Sequence, residues 1–185
     1  MSKNFVKDDF IEEVLHTSEE IEAVCEKIGK QISVDYEGKR PVLIGLLKGS
    51  VPFMAELMKH IKCEIETEYM KASSYQGTHS TGAVTIHQDV SIDVKGRHLI
   101  VVEDIIDTGL TMQNVVNLLK DRGAASVEIA SLLVKPEGKR VDFQEPKYVG
   151  FTIDNKFVVG YGLDYDQLYR NLNYIGVLKR SVYEK

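Results

Sequence analysis

Along this chain, short solid runs of apolar residues alternate with apolar stripes spread at helical spacing. Ile21, Val24 or Cys25, Ile28 and Ile32 recur three or four apart, which places them on one face of a helix. Thr17 precedes them and Glu20 follows it by three, a pair that can cap a first turn reciprocally. The pattern predicts a helix from Thr17 to about residues 35–38. Residues 41–47 then form an unbroken apolar run, the pattern of a strand covered on both faces in a parallel sheet. A helix opening at Val51-Pro52 follows, with Phe53, Met54, Leu57, Met58 and Ile61 on one face and Pro52 in the tolerant first turn.

The same succession returns further on. Residues 98–102 read as a strand, 103–110 as a polar loop and 111–122 as a helix that buries Met112, Val115, Val116 and Leu119. Gly123 is placed to end that helix. Residues 127–134 make a third apolar strand, stopped by Lys135-Pro136, and two more strands are predicted at 148–153 and 157–162. Strands alternating with helices predict an α/β fold, a parallel twisted sheet with right-handed crossovers flanked by helices. One segment differs: Cys63, Ile65, Thr67 and Tyr69 alternate with Glu64, Glu66 and Glu68, as in a strand wet on one side. Residues 84–88 are its expected partner. The ten polar or small residues between them, 73–82, are either a disordered connector or a functional lid.

Composition narrows the class. The 185 residues contain no repeat, Pro-rich linker or low-complexity tract and fit one domain spanning 1–185. A 43% hydrophobic and 28% charged content excludes intrinsic disorder. With 28 acidic against 23 basic residues, the net charge of −5 argues against nonspecific binding to nucleic acid or membrane. Cys25 and Cys63 cannot form a disulfide framework and read as reduced thiols. The first fifteen residues lack the apolar core of a signal peptide, and no apolar run is long enough to cross a bilayer. A soluble, cytoplasmic protein is expected.

Ligands of open α/β sheets sit at the carboxyl ends of the strands, so the loops at Lys48, Glu103 and Lys135 are expected to converge on one crevice. Glu103 and Asp104 are adjacent carboxylates at a strand end, costly to hold there without a magnesium ion or sugar hydroxyls. Thr108, Gly109 and Thr111 surround a helix start whose amides and hydroxyls suit a phosphate. The plainer alternative is a helix capped by Asp107 or Thr108 behind two solvated acids.

Residues 101–111 closely resemble the phosphoribosyl-pyrophosphate (PRPP) motif of type I phosphoribosyltransferases, two acids followed by Asp-Thr-Gly. Leu47-Lys48-Gly49-Ser50, Ser73-Ser74-Tyr75, Leu133-Val134-Lys135 and the stretch from Lys156 through Gly160-Tyr161-Gly162-Leu163-Asp164-Tyr165 to Arg170 narrow the resemblance to the hypoxanthine-guanine phosphoribosyltransferases. The resemblance covers nearly the whole chain in order and spacing. It implies Mg²⁺-dependent transfer of a phosphoribosyl group from PRPP to hypoxanthine or guanine, giving IMP or GMP and pyrophosphate. It further implies a small hood, built from the N-terminal segment and residues of about 155–185, and a lid at about 70–86 that contains Ser73, Ser74 and Tyr75.

By the same resemblance, Glu103 and Asp104 hold the ribose hydroxyls directly or through Mg²⁺. Ile105, Ile106, Asp107, Thr108, Gly109, Leu110 and Thr111 bind the nucleotide, with Asp107 as acid/base at purine N7. Lys48, Gly49 and Arg170 bind pyrophosphate, in a loop that in this family can hold a cis peptide at Leu47-Lys48. Lys135 donates to the purine 6-oxo group, Phe157 stacks on the base, and main-chain groups of Lys156 to Val159, Val158 among them, read its edge. Asp164 lies beside the base and anchors a second Mg²⁺. A homodimer or homotetramer is expected, and none of the five histidines receives a role.

Two other readings compete. Regulators of pyrimidine genes resemble phosphoribosyltransferases and bind RNA, but they need a basic face that a charge of −5 and the acidic 64–68 segment do not favour. A P-loop protein fails on order, since Lys48-Gly49-Ser50 is not Gly-Lys-Ser.

Overall fold

Five mutually parallel strands and one antiparallel edge strand form the central sheet of the computed structural model, which describes residues 8–74, 84–139 and 141–184. In chain order the elements are β1 (Ile11–His16), α1 (Ser18–Asp35), β2 (Val42–Leu46), α2 (Val51–His60), β3 (Glu66–Ser74), β4 (Val84–Gln88) and β5 (His98–Ile106). Then come α3 (Leu110–Asp121), β6 (Ser126–Val134), β7 (Tyr148–Thr152), β8 (Val158–Val159), β9 (Ile175–Leu178) and α4 (Arg180–Tyr183). The sheet order is β4-β3-β2-β5-β6-β7, with only β3 and β4 antiparallel.

Both faces of that sheet are covered, as the solid apolar runs require. Leu43, Ile100, Val102 and Leu132 pack against α1 and α2, whereas Val42, Ile44, Leu99, Val101 and Ile129 pack against α3. Period-two alternation sends neighbouring residues of one strand to opposite layers. The capping box is formed at α1: Glu20 N–H donates to Thr17 Oγ1, and Thr17 N–H donates to the Glu20 carboxylate at 2.9 Å. α1 and α2 cross closely because Gly29 has no side chain; a Cβ there would lie 2.6 Å from His60 Cβ.

The chain differs from its sequence pattern in four places. β5 does not stop at residue 102 but runs on through Glu103-Asp104 to Ile106, because its ladder to β6 continues at Glu103↔Ser131, Ile105↔Leu133 and Ile106↔Val134. Backbone pairing is indifferent to side-chain polarity, so the acid pair lies within a strand rather than in a loop. The 157–162 strand shrinks to Val158–Val159, since Gly160, Tyr161 and Gly162 take positive φ and turn the chain away. β8 joins β1 and β9 in a second, three-stranded sheet that the apolar pattern did not signal. Finally, the alternating segment is strand only from Glu66 onward, as β3 Glu66–Ser74, and its partly exposed acids are paired: Glu66 accepts from Arg97 and pairs with Arg40, and Glu68 accepts from Ser91. Residues 75–83, with Tyr75 and most of the expected lid, lie outside the described residues.

The end of α1 is tied to the start of β7 across the sheet. Tyr148, 1% exposed, donates its hydroxyl to Asp35 Oδ2 at 2.7 Å, and Lys147 Nζ lies 2.9 Å from the same oxygen. Lys147 and then Tyr148 hold the Asp35 carboxyl below its usual value of 3.8. A lowered carboxyl pKa means stabilisation that is complete above the usual value and lost as pH falls through the folded-state value. Tyr148→Phe is expected to lower the unfolding free energy by about 1–2 kcal/mol near neutrality. That deficit is expected to shrink in acid, as measured by urea unfolding at a series of pH values; a pH-independent deficit would remove Asp35 from the account.

Candidate active site

At the carboxyl edge of the central sheet, the segments that follow β2, β5 and β6 meet. Leu46 and Leu47 after β2, Ala72 on β3, and Glu103, Ile105, Ile106, Asp107, Thr108, Gly109 and Thr111 line one crevice of about 230 Å³. A second hollow of about 120 Å³ shares Ile106 and Asp107 with it and is completed by Val134, Lys135, Pro136, Lys139, Phe143 and Glu145. Glu103 thus lines the first hollow, Lys135 the second and Asp107 both, whereas Lys48 lines neither and its loop reaches the acid pair through Gly49.

Glu103 and Asp104 are the electrostatic centre. Glu103 keeps some exposure through the crevice but is packed round by protein, and burial, then the neighbouring Asp104 charge, push its carboxyl well above the usual range. Asp104 Oδ1 accepts from the Ile105 amide at 2.9 Å. The Lys48-Gly49 loop closes against this pair: a Cβ on Gly49 would lie 1.6 Å from Asp104 Oδ2, so any side chain there would have to displace that carboxylate. Lys48 follows a cis peptide at Leu47-Lys48 and is itself exposed. An all-oxygen donor set carrying more negative charge than its surroundings stabilise fits a hard divalent cation such as Mg²⁺.

Asp107 begins the turn into α3. Gly109 takes a left-handed φ of +78° as the N-cap, and the packing is tight there, since a Cβ would lie 2.3 Å from the Phe143 ring. Gly109 has no side chain to cap α3, and the Leu110 amide is met by Thr108 Oγ1 at 3.4 Å. Thr108, Gly109 and Thr111 line the crevice at this end of the helix, where its dipole adds positive potential. Asp107 is exposed, and Gly138 makes room for it: a Cβ at 138 would lie 1.9 Å from Asp107 Oδ1.

Lys135 ends β6 with its amide donating to Ile106 O at 2.9 Å. It is 8% exposed, the one buried charged side chain among the described residues, and no ion pair or hydrogen bond to its ammonium occurs among them. A buried cation without a protein acceptor is suited to a ligand's carbonyl.

The remaining expected residues come from the second sheet and the turn after it. Phe157 is 39% exposed and is not a core aromatic; it stacks on Tyr183 at 4.8 Å and meets Tyr165 edge-on at 5.8 Å. Val158 is buried beside it, and Lys156 Nζ pairs with Glu13 at 2.8 Å. Asp164 is engaged on both oxygens, by Arg170 Nη2 at 2.8 Å and by the Gln167 amide at 2.9 Å. Arg170 also donates to Gly162 O at 2.7 Å. This turn reaches the Lys48 loop directly: a Cβ on Gly162 would lie 2.0 Å from Gly49 O. Ser73 is on β3, with its hydroxyl 2.7 Å from His87 Nε2 and outside the crevice lining; Ser74 ends β3.

Gly138 and Tyr183 carry no local signal that distinguishes them from a turn glycine or a surface residue. Gly162, Tyr165 and Gln167 stood within a quoted stretch without roles of their own.

Comparison with known proteins agrees with this geometry. A family model for the phosphoribosyl transferase domain matches residues 12–166. A Streptococcus pneumoniae protein named hypoxanthine-guanine phosphoribosyltransferase is 57% identical over 174 residues, covering 94% of this chain and 96% of that one. A Lactococcus lactis protein of the same name is 53% identical over 179 residues, covering 96% and 97%. The crystal structure of a Staphylococcus aureus hypoxanthine phosphoribosyltransferase superposes with a TM-score of 0.93 at 44% identity, covering both chains completely.

The raised Glu103 carboxyl has a consequence for the empty protein. A folded-state pKa above the unfolded one means stability that is lost as pH rises through the folded value. Glu103→Gln removes the charge while keeping the shape, so it is expected to raise the unliganded melting temperature at alkaline pH, with the gain fading in acid. Each ~1 kcal/mol so recovered corresponds to ~2–4 °C for a chain of this size. Differential scanning fluorimetry across pH checks this; a variant less stable than the wild type at every pH would contradict it.

Proposed function

This chain belongs to the hypoxanthine-guanine phosphoribosyltransferase family, and from that membership we propose that it transfers a phosphoribosyl group from PRPP to N9 of hypoxanthine or guanine, yielding IMP or GMP and pyrophosphate. The observation that carries the reading is the placement of a half-buried acid pair, a Thr-Gly helix start and a buried lysine around adjoining hollows. The acids suit the ribose hydroxyls of one mononucleotide, the helix start its phosphate and the lysine its base.

In this reading the α3 amides and the hydroxyls of Thr108 and Thr111 take the 5′-phosphate. Glu103 and Asp104 hold the ribose hydroxyls directly or would do so through one Mg²⁺, and Asp164 would anchor a second. The cation would neutralise charge developing on the leaving pyrophosphate. Lys48, Gly49 and Arg170 grip that pyrophosphate from the two loops that touch at Gly49 and Gly162. Purine N9 attacks C1′ from the opposite side, the C1′–oxygen bond breaks with inversion, and pyrophosphate leaves with the electron pair. Asp107 takes the proton from purine N7.

The base lies with its 6-oxo group toward the Lys135 ammonium and its face on the Phe157–Tyr165–Tyr183 cluster, where the main chain of Lys156 and Val158 reads its edge. Adenine presents an amino group to that ammonium, donor against donor, and is rejected. We assign the three-stranded sheet to the hood, the β3–β4 connection to a solvent-excluding lid, and the whole chain to one domain. The cytoplasm suits two free thiols, and no helix among the described residues is long and apolar enough to cross a membrane.

The test is a spectrophotometric assay with PRPP, Mg²⁺ and each of hypoxanthine, guanine, xanthine and adenine. Hypoxanthine or guanine is expected to turn over with kcat/KM at least ~100-fold above adenine; equal use of adenine would undo the role of Lys135. Asp107→Asn is expected to lower kcat by about 10²–10⁴ with IMP binding nearly unchanged, and unchanged turnover would remove Asp107 from the chemistry. No purine turnover, together with an RNA mobility shift at physiological salt, would favour the regulator instead.

A further inference from the structure

Gln167 has no part in the machinery described above, yet it touches two of its cations. Its side-chain oxygen accepts from Lys48 Nζ at 3.2 Å and from Arg170 Nη2 at 3.2 Å. Lys48 and Gln167 are 119 residues apart in the chain, so this contact is made by the fold and not by local geometry. One amide oxygen has two lone pairs, enough to serve both donors.

The position of Gln167 is itself built at a cost. Asp166, Gln167 and Tyr169 hold left-handed φ values of 49°, 67° and 71°. Non-glycine residues are strained in this region and persist where the surroundings over-determine them. Here the surroundings do: Tyr165 and Leu168 exchange backbone hydrogen bonds, the Gln167 amide donates to Asp164, and Arg170 binds Gly162 O and Asp164. The guanidinium is thereby oriented, while its buried Nε has no partner. The Gly162–Gly49 contact, with no room for a Cβ, fixes the same two loops backbone to backbone.

We propose that Gln167 is a positioning residue that ties the Lys48 ammonium to the Arg170 guanidinium, so that both cations are presented together to one diphosphate group. This rests on the reading that Lys48 and Arg170 bind the diphosphate of PRPP. The neutrality of Gln167 is part of the device. Lys48, Arg170 and Asp164 together leave one net positive charge facing the ligand, and a carboxylate at 167 would cancel it and compete with the diphosphate for both donors. Alanine would release Lys48 to solvent and leave Arg170 held by Asp164 and Gly162 alone.

The test compares full-length wild type, Gln167→Ala and Gln167→Glu, each checked by its melting temperature. PRPP is varied at saturating hypoxanthine, hypoxanthine at saturating PRPP, and inorganic pyrophosphate with Mg²⁺ is titrated calorimetrically. Both variants are expected to raise KM for PRPP and Kd for pyrophosphate about five- to tenfold, the loss of a charge-assisted hydrogen bond. The kcat and the KM for hypoxanthine are expected to stay within about twofold, since no contact to the base is touched. Unchanged PRPP and pyrophosphate affinity in Gln167→Ala would overturn the proposal, as would parallel losses in kcat and in both KM values, the mark of general disruption. Pyrophosphate affinity equal to or better than wild type in the near-isosteric Gln167→Glu would also overturn it. A wild type that does not turn over PRPP would instead fail the enzymatic reading, and the pyrophosphate titration would still decide the bridge.

Discussion

Two neighbouring carboxylates, Glu103 and Asp104, held in the last residues of a central parallel strand, set the terms for everything around them. Both side chains are only half-exposed at the end of that strand, so water stabilises their paired charge poorly. Protein supplies no cation either: among the described residues neither acid has an ion pair with a lysine or arginine. The fold keeps charge there that only a ligand compensates, which is the arrangement of a site that trades stability for binding. The neighbouring features follow from that choice. Gly49 lies close against Asp104, and the start of α3 and the buried Lys135 stand around the same pair of adjoining hollows.

The division of labour between the two sheets is equally physical. The central sheet fixes the strand ends, and therefore the acids, the helix start and Lys135, within one rigid frame. The smaller sheet and its left-handed turn carry Phe157, Asp164 and Arg170, none of which lines either hollow, and reach the central sheet at the Lys48-Gly49 loop. The two parts meet where Gly162 presses on the Gly49 carbonyl. A site assembled from a rigid floor and a separate upper layer can bind a two-part substrate set, a sugar phosphate below and a flat base above.

Much of this was legible in the residues. Solid apolar runs at 41–47 and 127–134 could only be strands buried on both faces, and Thr17 with Glu20 announced the first turn of α1. The acids, the Thr-Gly helix start and Lys135 could be placed at strand ends because the connections in such sheets are short and of one hand. What escaped was set by partners distant in sequence. β5 continues past Val102 because β6 pairs it, and the N-terminal strand Ile11–His16 exists because β9 lies beside it. Gln167 has its role only because a loop 119 residues away passes within reach. No window of local sequence holds that information.

The most direct measurement is a crystal structure of the protein with IMP bound. The account places the 5′-phosphate within hydrogen-bond distance of the amides of residues 108–111, the ribose hydroxyls on Glu103 and Asp104, and the 6-oxo group on Lys135 Nζ. A nucleotide bound the other way round, with its phosphate on Lys135, or seated well away from the ends of β5 and β6, would contradict it.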